Sequence, residues 1–179
     1  MSEATKKEVY SWVKSIVFAL IVAIICRNFL FSPAIVYGES MLPTFQEHDR
    51  LLLSKVSEIQ RFDLVVFNAP DSDERYIKRV IGLPGDIVEV KDDTLYINGK
   101  QIEEPYLEDI KKDLLFDKLT GDFTLEELTG EAVVPEGTLF VMGDNRLHSK
   151  DSRFFGPIPI SSLIGEVKLQ IYPKIGMPE

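Results

Sequence analysis

The sequence has very few cysteines and histidines, the residues that form disulfides and make up most zinc sites. Its 179 residues include one cysteine, Cys26, and two histidines, His48 and His148. A single cysteine forms no disulfide within the chain, so the fold depends on its hydrophobic core. Cys26 also lies in an apolar segment, where nothing activates a thiol for catalysis. These residues make no cluster at metal-ligand spacing, and we expect neither a metal nor another cofactor.

A net positive charge is found only at the N-terminal end. The whole chain has a net charge of −9, in which residues 1–32 carry +2 and the remainder carries −11. An acidic body repels a phosphate backbone, so we expect no nucleic-acid partner. A basic start, an apolar segment and an acidic body are typical of a protein with a defined orientation in a membrane.

Long apolar runs are few, and the longest lies near the N-terminus. Residues 16–26 are uninterrupted, and flanking apolar residues extend the segment over 12–31. This matches the roughly 20 residues that cross a bilayer. Lys14 and Arg27 near its ends can extend their charges to the interfaces. The segment therefore predicts a membrane anchor in contact with lipid.

Two other interpretations of this segment remain open. A cleaved signal peptide has a similar charged start, but Ser32-Pro33-Ala34 is a poor cleavage site. A buried core helix is the second. We favour the anchor, with residues 1–10 in the cytoplasm, residues 11–32 in the cell membrane and residues 33–179 outside it. The excess of lysine on the N-terminal side gives this orientation.

The pattern changes to short β-type runs beyond the anchor. These runs are 34–37, 51–53, 64–67, 75–81, 87–90, 94–97, 100–102, 138–142 and 164–172. Asn98-Gly99 between two of them predicts a two-residue hairpin. We therefore predict a mainly β fold: antiparallel sheets in a partly closed, barrel-like body behind one N-terminal transmembrane helix.

Residues 103–131 interrupt the β pattern. They are acidic, poor in β-branched residues and patterned like one or two short helices. Thr124-Leu125-Glu126-Glu127 resembles a capping box, the pairing that begins many helices. We predict a small inserted helix-and-loop segment that is mobile at its tip.

A serine lies where an extended segment meets a turn, in Gly38-Glu39-Ser40-Met41-Leu42-Pro43-Thr44. One interpretation is a nucleophile held by a backbone that changes direction. The other is an ordinary turn serine, since serine is common in turns.

The strand-like run at 75–81 contains a candidate base, Lys78. Side chains alternate along a strand, so Tyr76, Lys78 and Val80 share one face. If that face is buried, desolvation lowers the lysine pKa from about 10.4 toward the roughly 7–8 that suits a base. The alternative is a solvated surface lysine beside Arg79.

A loop rich in turn formers and charges follows at 143–159. Asp151 and Arg153 could pair with each other and with Arg79, and a hydroxyl such as Ser149 could orient the lysine amine. The alternative is a solvated loop held by local hydrogen bonds.

A histidine base is the rival scheme. His148 with Asp144 or Asp151 could complete a Ser-His-Asp arrangement, which is recognised by geometry rather than by order. A loop histidine is more often solvated, and His48 likewise.

Three segments in order resemble the boxes of bacterial type I signal peptidases. They are residues 38–44, 76–86 and 143–153, and the resemblance spans roughly residues 8–172. The short body and single anchor look like the Gram-positive form. The resemblance implies that Ser40 is the nucleophile, Lys78 the general base and Ser149 the group that orients Lys78. It also implies that three charged residues brace the site: Asp151, Arg153 and Arg79.

The same resemblance implies the substrates. They are exported preproteins, cut after small residues at the last and third-last positions of the signal peptide. Pockets for these residues would lie near Val36, Met41, Phe45 and Ile77. Some family members use a side-chain hydroxyl two residues before the nucleophile in the oxyanion hole. Here that residue is Gly38, so a second donor has to come from backbone or elsewhere.

Two alternatives of other kinds remain. A self-cleaving repressor-type protease also uses a serine/lysine pair, but it needs an N-terminal DNA-binding helix-turn-helix where this chain has an apolar segment. A membrane-tethered β module that only binds export partners would have no use for the dyad.

Overall fold

The computed structural model describes residues 3–113 and 118–177, beginning with a long helix. Helix α1, Glu3–Ile25, contains the section Lys7–Ile25, which has a mean hydropathy of 1.9. None of this section is buried by the rest of the described chain. The interpretation as a buried core helix is therefore wrong. The length and composition fit a membrane span, a test that a signal sequence also passes.

The last part of the apolar segment is not α-helical. A π-helical turn, Cys26–Leu30, follows α1, and strand β1 begins at Phe31. The Lys55 N–H donates to the Leu30 carbonyl over 2.9 Å, which ties the end of this turn to the β body. The chain thus passes from the anchor into the sheet without a linker.

The body of the described chain consists of short strands. They are β1 Phe31–Ile35, β2 Arg50–Ser54, β3 Leu64–Asn68, β4 Arg75–Gly82, β5 Val88–Lys91, β6 Thr94–Ile97, β7 Lys100–Ile102, β8 Phe123–Thr124, β9 Thr138–Met142, β10 Ile158–Pro159 and β11 Leu163–Tyr172. Three short helices lie between them: α2 Glu108–Asp113, α3 Leu125–Thr129 and α4 Ser152–Phe155.

The strands form two antiparallel sheets. The larger has the order β1-β2-β11-β3-β4-β9-β10 and the smaller the order β7-β6-β5-β8. The prediction of a mainly β, antiparallel fold behind one N-terminal apolar helix is confirmed. In the described chain neither sheet closes into a barrel, because β1 and β10 remain the edges of the larger one.

The smaller sheet covers the middle of the larger one. Val90 and Leu95 of the small sheet share a buried cluster with Ile81, Phe140 and Met142 of the large sheet. Packing on both faces leaves β4 buried from Ile77 to its end. Neighbouring side chains of β4 point to opposite faces, and both faces are closed to water.

Local sequence signals were reliable at turns and caps. Asn98 and Gly99 both have positive φ angles, 53° and 74°, and join β6 to β7 as predicted. The capping box at α3 is present, with Thr124 and Glu127 bonding each other's backbone N–H. The predicted mobility of the tip of residues 103–131 stays a prediction, since residues 114–117 lie outside the described part.

The shortest elements were missed. Strand β10 and helix α4 lie within the predicted loop 143–159, and β8 lies within the insertion. A two-residue strand carries no alternating pattern, so its position depends on a partner such as Leu139, which pairs with Ile158. The predicted strand at 138–142 coincides with β9.

Gly165, in strand β11 between β2 and β3, allows a close backbone approach. A Cβ at this position would lie 2.6 Å from the Ser54 carbonyl oxygen. We expect Gly165→Ala to lower the free energy of unfolding by about 1–3 kcal/mol, because the strands would have to separate. Thermal denaturation in detergent should show this as a lower Tm.

Gly176→Ala is the matched control, since nothing lies within 4 Å of a Cβ there. Equal melting temperatures for the two variants would contradict the close approach.

Candidate active site

Ser40 lies in a turn that the 143–146 loop holds in place. The chain leaves β1, passes Gly38 at a φ of 78° and turns at the serine. The Asn145 N–H donates to the Ser40 carbonyl over 3.0 Å, and the Asn145 side chain donates to the Glu39 carbonyl over 3.0 Å. Two bonds from one residue thus fix the backbone on either side of the nucleophile candidate.

Lys78 reaches this serine from the buried part of β4. Its side chain is almost completely enclosed, with the residue 3% exposed. Lys78 Nζ lies 2.6 Å from Ser40 Oγ, in a hydrogen bond, and 5.6 Å from the centre of the Tyr76 ring. The alternative of a solvated surface lysine is therefore wrong.

Burial changes the acidity of the lysine amine. Desolvation lowers the pKa of Lys78 from 10.5 to about 8, against the charges of Asp151 and Asp144, which raise it. Arg153 adds a smaller lowering effect. An amine with this pKa is partly neutral at physiological pH, which a proton acceptor requires.

Ser149 is buried beside the dyad, at the place where Gly143 has no side chain. A Cβ on Gly143 would overlap Ser149 Oγ and lie 2.5 Å from the Ser40 carbonyl oxygen. The Ser149 hydroxyl makes no hydrogen bond to Lys78. The predicted contact that would orient the lysine is thus missing in this conformation, because the hydroxyl lies against Gly143 instead.

Asp151 and Arg153 form the predicted ion pair. Arg153 Nε and Nη2 donate to the two carboxylate oxygens over 2.8 and 2.9 Å. The Gly143 N–H donates to the same carboxylate over 3.0 Å. Burial raises the pKa of Asp151, but the hydrogen bonds and charge of Arg153 outweigh it, and the pKa lies below its usual value.

Arg79 differs from the prediction, because its carboxylate partner is Asp144. Arg79 Nε and Nη2 donate to the Asp144 oxygens over 2.9 and 2.7 Å. Strand β9 pairs with β4 at Met142 and Arg79, so the loop just after β9 brings Asp144 beside the guanidinium. Asp144 also accepts from Thr44 Oγ1 over 2.5 Å.

Asp144 and Thr44 were missed in these roles. Their only sequence signal was position, since Asp144 lies in the charged loop and Thr44 ends the serine-containing turn. The histidine scheme also fails on this geometry. His148 and His48 are exposed, and the carboxylates of Asp144 and Asp151 are already paired with arginines.

A cleft of about 660 Å³ runs beside the dyad. Both dyad residues line it, together with Val36 and Ile77. Met41 and Phe45, which were predicted to line the pockets, are buried at 1% and 0% exposure in the cluster beneath the cleft and do not line it. The turn directs these two side chains into the core.

Among the described residues, the strands that form the walls of the cleft have unpaired edges. Strand β1 is an edge of the large sheet and has β2 as its neighbour on one side only. Strand β4 pairs with β9 from Arg79 onward, so its first half is paired with β3 alone. Both strands line the cleft through residues 32–37 and 75–78.

Comparison with known proteins identifies the family of this chain. A family model described as signal peptidase, peptidase S26, matches residues 9–172. Signal peptidase I of Bacillus caldolyticus is 49% identical, with 87% of each chain covered. Signal peptidase IB of Staphylococcus aureus (strain COL) is 40% identical, with 94% of this chain and 92% of that protein covered.

A solved structure gives the same result. The crystal structure of a signal peptidase I from Enterococcus faecalis V583 is 47% identical in sequence and matches with a TM-score of 0.60. The match covers 63% of this chain and 98% of the crystallised one. By the family model and by its relatives, this chain belongs to the signal peptidase family, peptidase S26.

Proposed function

We propose that this chain cuts signal peptides from exported preproteins with Ser40 as the nucleophile and Lys78 as the general base. Family membership gives the activity, a membrane-anchored serine endopeptidase. The observation that supports the residue roles is the 2.6 Å contact between Lys78 Nζ and Ser40 Oγ in a buried site. A hydroxyl within hydrogen-bond reach of a base is the arrangement that activates a serine.

The reaction follows from this contact. Neutral Lys78 takes the Ser40 proton while Oγ attacks the scissile carbonyl carbon, and a tetrahedral intermediate forms. The lysine ammonium gives this proton to the leaving nitrogen as the C–N bond breaks, which leaves the acyl-enzyme and a free amine product. Lys78, neutral again, activates the water that hydrolyses the acyl-enzyme.

The oxyanion needs donors as its charge develops. The Ser40 backbone N–H is one, and a single such donor is typically worth about 3–4 kcal/mol. Gly38 has no side chain to act as a second, so a second donor has to come from the backbone or from another side chain.

Charges around the amine are balanced in pairs. Asp151 and Asp144 act against deprotonation of Lys78, but each is bonded to an arginine, Arg153 or Arg79. Burial therefore has the largest effect on the pKa of Lys78 and leaves part of the amine neutral, as a base must be. We propose these two pairs, with buried Ser149, as the supports of the dyad.

The cleft accepts the substrate as an extended strand. The unpaired edges of β1 and of the first half of β4 can bond to a peptide backbone between them, a mode of binding called strand addition. Val36 and Ile77 lie in the walls, where apolar side chains leave room for small residues at the −1 and −3 positions.

The anchor fixes the height of the site above the membrane. Ser40 lies nine residues beyond Phe31, so at about 3.3 Å per residue it stays within roughly 30 Å of the end of the anchor. We propose residues 1–10 as cytoplasmic, 11–32 as the segment that contains the span in membrane lipid and 33–179 as the extracytoplasmic catalytic domain. Lysines before the span support this orientation.

Substitution of the dyad is the direct test of the mechanism. We expect Ser40→Ala and Lys78→Ala to lose at least about 10³-fold in kcat on a preprotein in detergent. Lys78→Arg should be equally inactive, because a guanidinium does not deprotonate in proteins. Lys118→Arg, at an exposed lysine of the insertion, is the control and should retain wild-type activity.

A Lys78→Arg rate within a few-fold of wild type would exclude a lysine base. An intact wild-type chain that cleaves no preprotein would favour the binding-module alternative.

The pH dependence gives a second prediction. Because the base must be neutral and burial lowers the pKa of Lys78 to about 8, kcat/KM should rise as the pH increases toward 8. The profile should level off above that pH. A profile whose rising limb is centred near pH 4 or above pH 10 would point to a different group.

The histidines offer a third prediction. We expect His48→Ala and His148→Ala each to keep kcat/KM within about threefold of wild type, since both side chains are exposed and neither takes part in proton transfer. Steady-state kinetics with the same preprotein measures this. Near-complete loss in either variant would revive the Ser-His-Asp scheme.

A further inference from the structure

We infer that Tyr106, in the first turn of the insertion, is a positioning residue for Ser40 that acts through Arg79 and Asp144. The turn is the 3-10 helix Pro105–Leu107, which follows β7. Tyr106 has this role only if Ser40 and Lys78 have the roles proposed above. The insertion then has a part in catalysis, although none of its described residues lines the cleft walls.

The contact that carries the inference is a stack. The guanidinium carbon of Arg79 lies 3.9 Å from the centre of the Tyr106 ring, which places the cation over the aromatic face. Arg79 Nη1 also donates to the Phe62 carbonyl over 3.1 Å. The ring therefore sets the plane in which the other two nitrogens meet the Asp144 carboxylate.

The orientation of Arg79 affects the serine turn through the Asp144 carboxylate. Asp144 accepts from Thr44 Oγ1 at one end of the turn, and its neighbour Asn145 donates to the Ser40 carbonyl at the other. A tilt of Arg79 would displace Asp144 and with it both attachment points. Lys78, next to Arg79 in β4, would stay in place, so the serine would move relative to its base.

Tyr106 is itself held firmly. Its hydroxyl donates to Glu104 Oε1 over 2.8 Å and accepts from Arg146 Nη2 over 3.1 Å. Glu104 and Arg146 form a buried ion pair, and Arg146 Nε donates to the Gly143 carbonyl over 3.1 Å. Burial raises the pKa of Tyr106 well above its usual value, so the phenol remains a donor.

Removal of the aromatic face is the first test. We expect Tyr106→Leu to lower kcat by about 10- to 100-fold with KM within twofold, because an ångström of misplacement at reacting groups has effects of this size. Tyr106→Phe keeps the face and should stay within about threefold of wild type. Tyr96→Leu is the matched control, a half-buried tyrosine of the small sheet, and should stay near wild type.

A double-mutant cycle shows whether Tyr106 acts through Arg79. Arg79→Lys replaces the planar guanidinium by an ammonium, which neither makes the paired hydrogen bonds to Asp144 nor stacks on the Tyr106 ring in the same way. This variant should therefore itself lower kcat. In that background we expect Tyr106→Leu to add less than about a threefold loss, since the path to Asp144 is already broken. If Tyr106→Leu does not fold, Tyr106→Met takes its place in the cycle.

Three outcomes would overturn the inference. In the first, the kcat loss of the double variant equals the product of the losses in Arg79→Lys and Tyr106→Leu. In the second, Tyr106→Phe is as slow as Tyr106→Leu. In the third, Tyr106→Leu is no slower than Tyr96→Leu. Wild type and Ser40→Ala are assayed alongside. If the wild type cleaves and Ser40→Ala does not, such an outcome removes the role of Tyr106 alone. If the wild type itself does not cleave, the proposed function fails and the role of Tyr106 with it.

Discussion

The site depends on the burial of one amine. Lys78 lies in a strand that is covered on both faces, and loss of hydration there disfavours the ammonium form. The nearby carboxylates of Asp144 and Asp151 act in the opposite direction, so no charge partner creates the base. The apolar packing of the β body creates it. The fold and the reactivity of the lysine therefore have the same physical cause.

Three largely enclosed arginines of the site and its supports each pair with a carboxylate. The pairs are Arg79 with Asp144, Arg153 with Asp151 and Arg146 with Glu104. An unpaired buried charge typically destabilises a protein by several kcal/mol, so loss of one partner affects more than one contact. The carboxylates come from two separate segments, the 143–151 loop and the start of the insertion. Arg146 and Glu104 thus join the loop to the insertion, and Arg79 and Asp144 join the loop to the strand that carries the base.

Much of this was predictable from local patterns. Turn chemistry placed the hairpin at Asn98-Gly99, β-type runs placed the main strands, and three motifs in order identified the family. The features that the sequence did not predict depend on how the strands and turns come together in the folded chain. The partner of Arg79 follows from the pairing of β4 with β9, and the inward direction of Met41 follows from the shape of the serine turn. Neither feature can be inferred from the spacing of residues along the chain.

Gly143 shows why the motifs have to be considered together. A side chain there would overlap the Ser149 hydroxyl and crowd the carbonyl of Ser40, so only glycine allows the two serines to lie this close. Its N–H also donates to Asp151. One residue without a side chain therefore brings the serine turn, the buried hydroxyl and the Arg153 ion pair into contact. The serine motif and the 143–153 motif thus form one packed unit, and a change in either would alter the surroundings of the nucleophile.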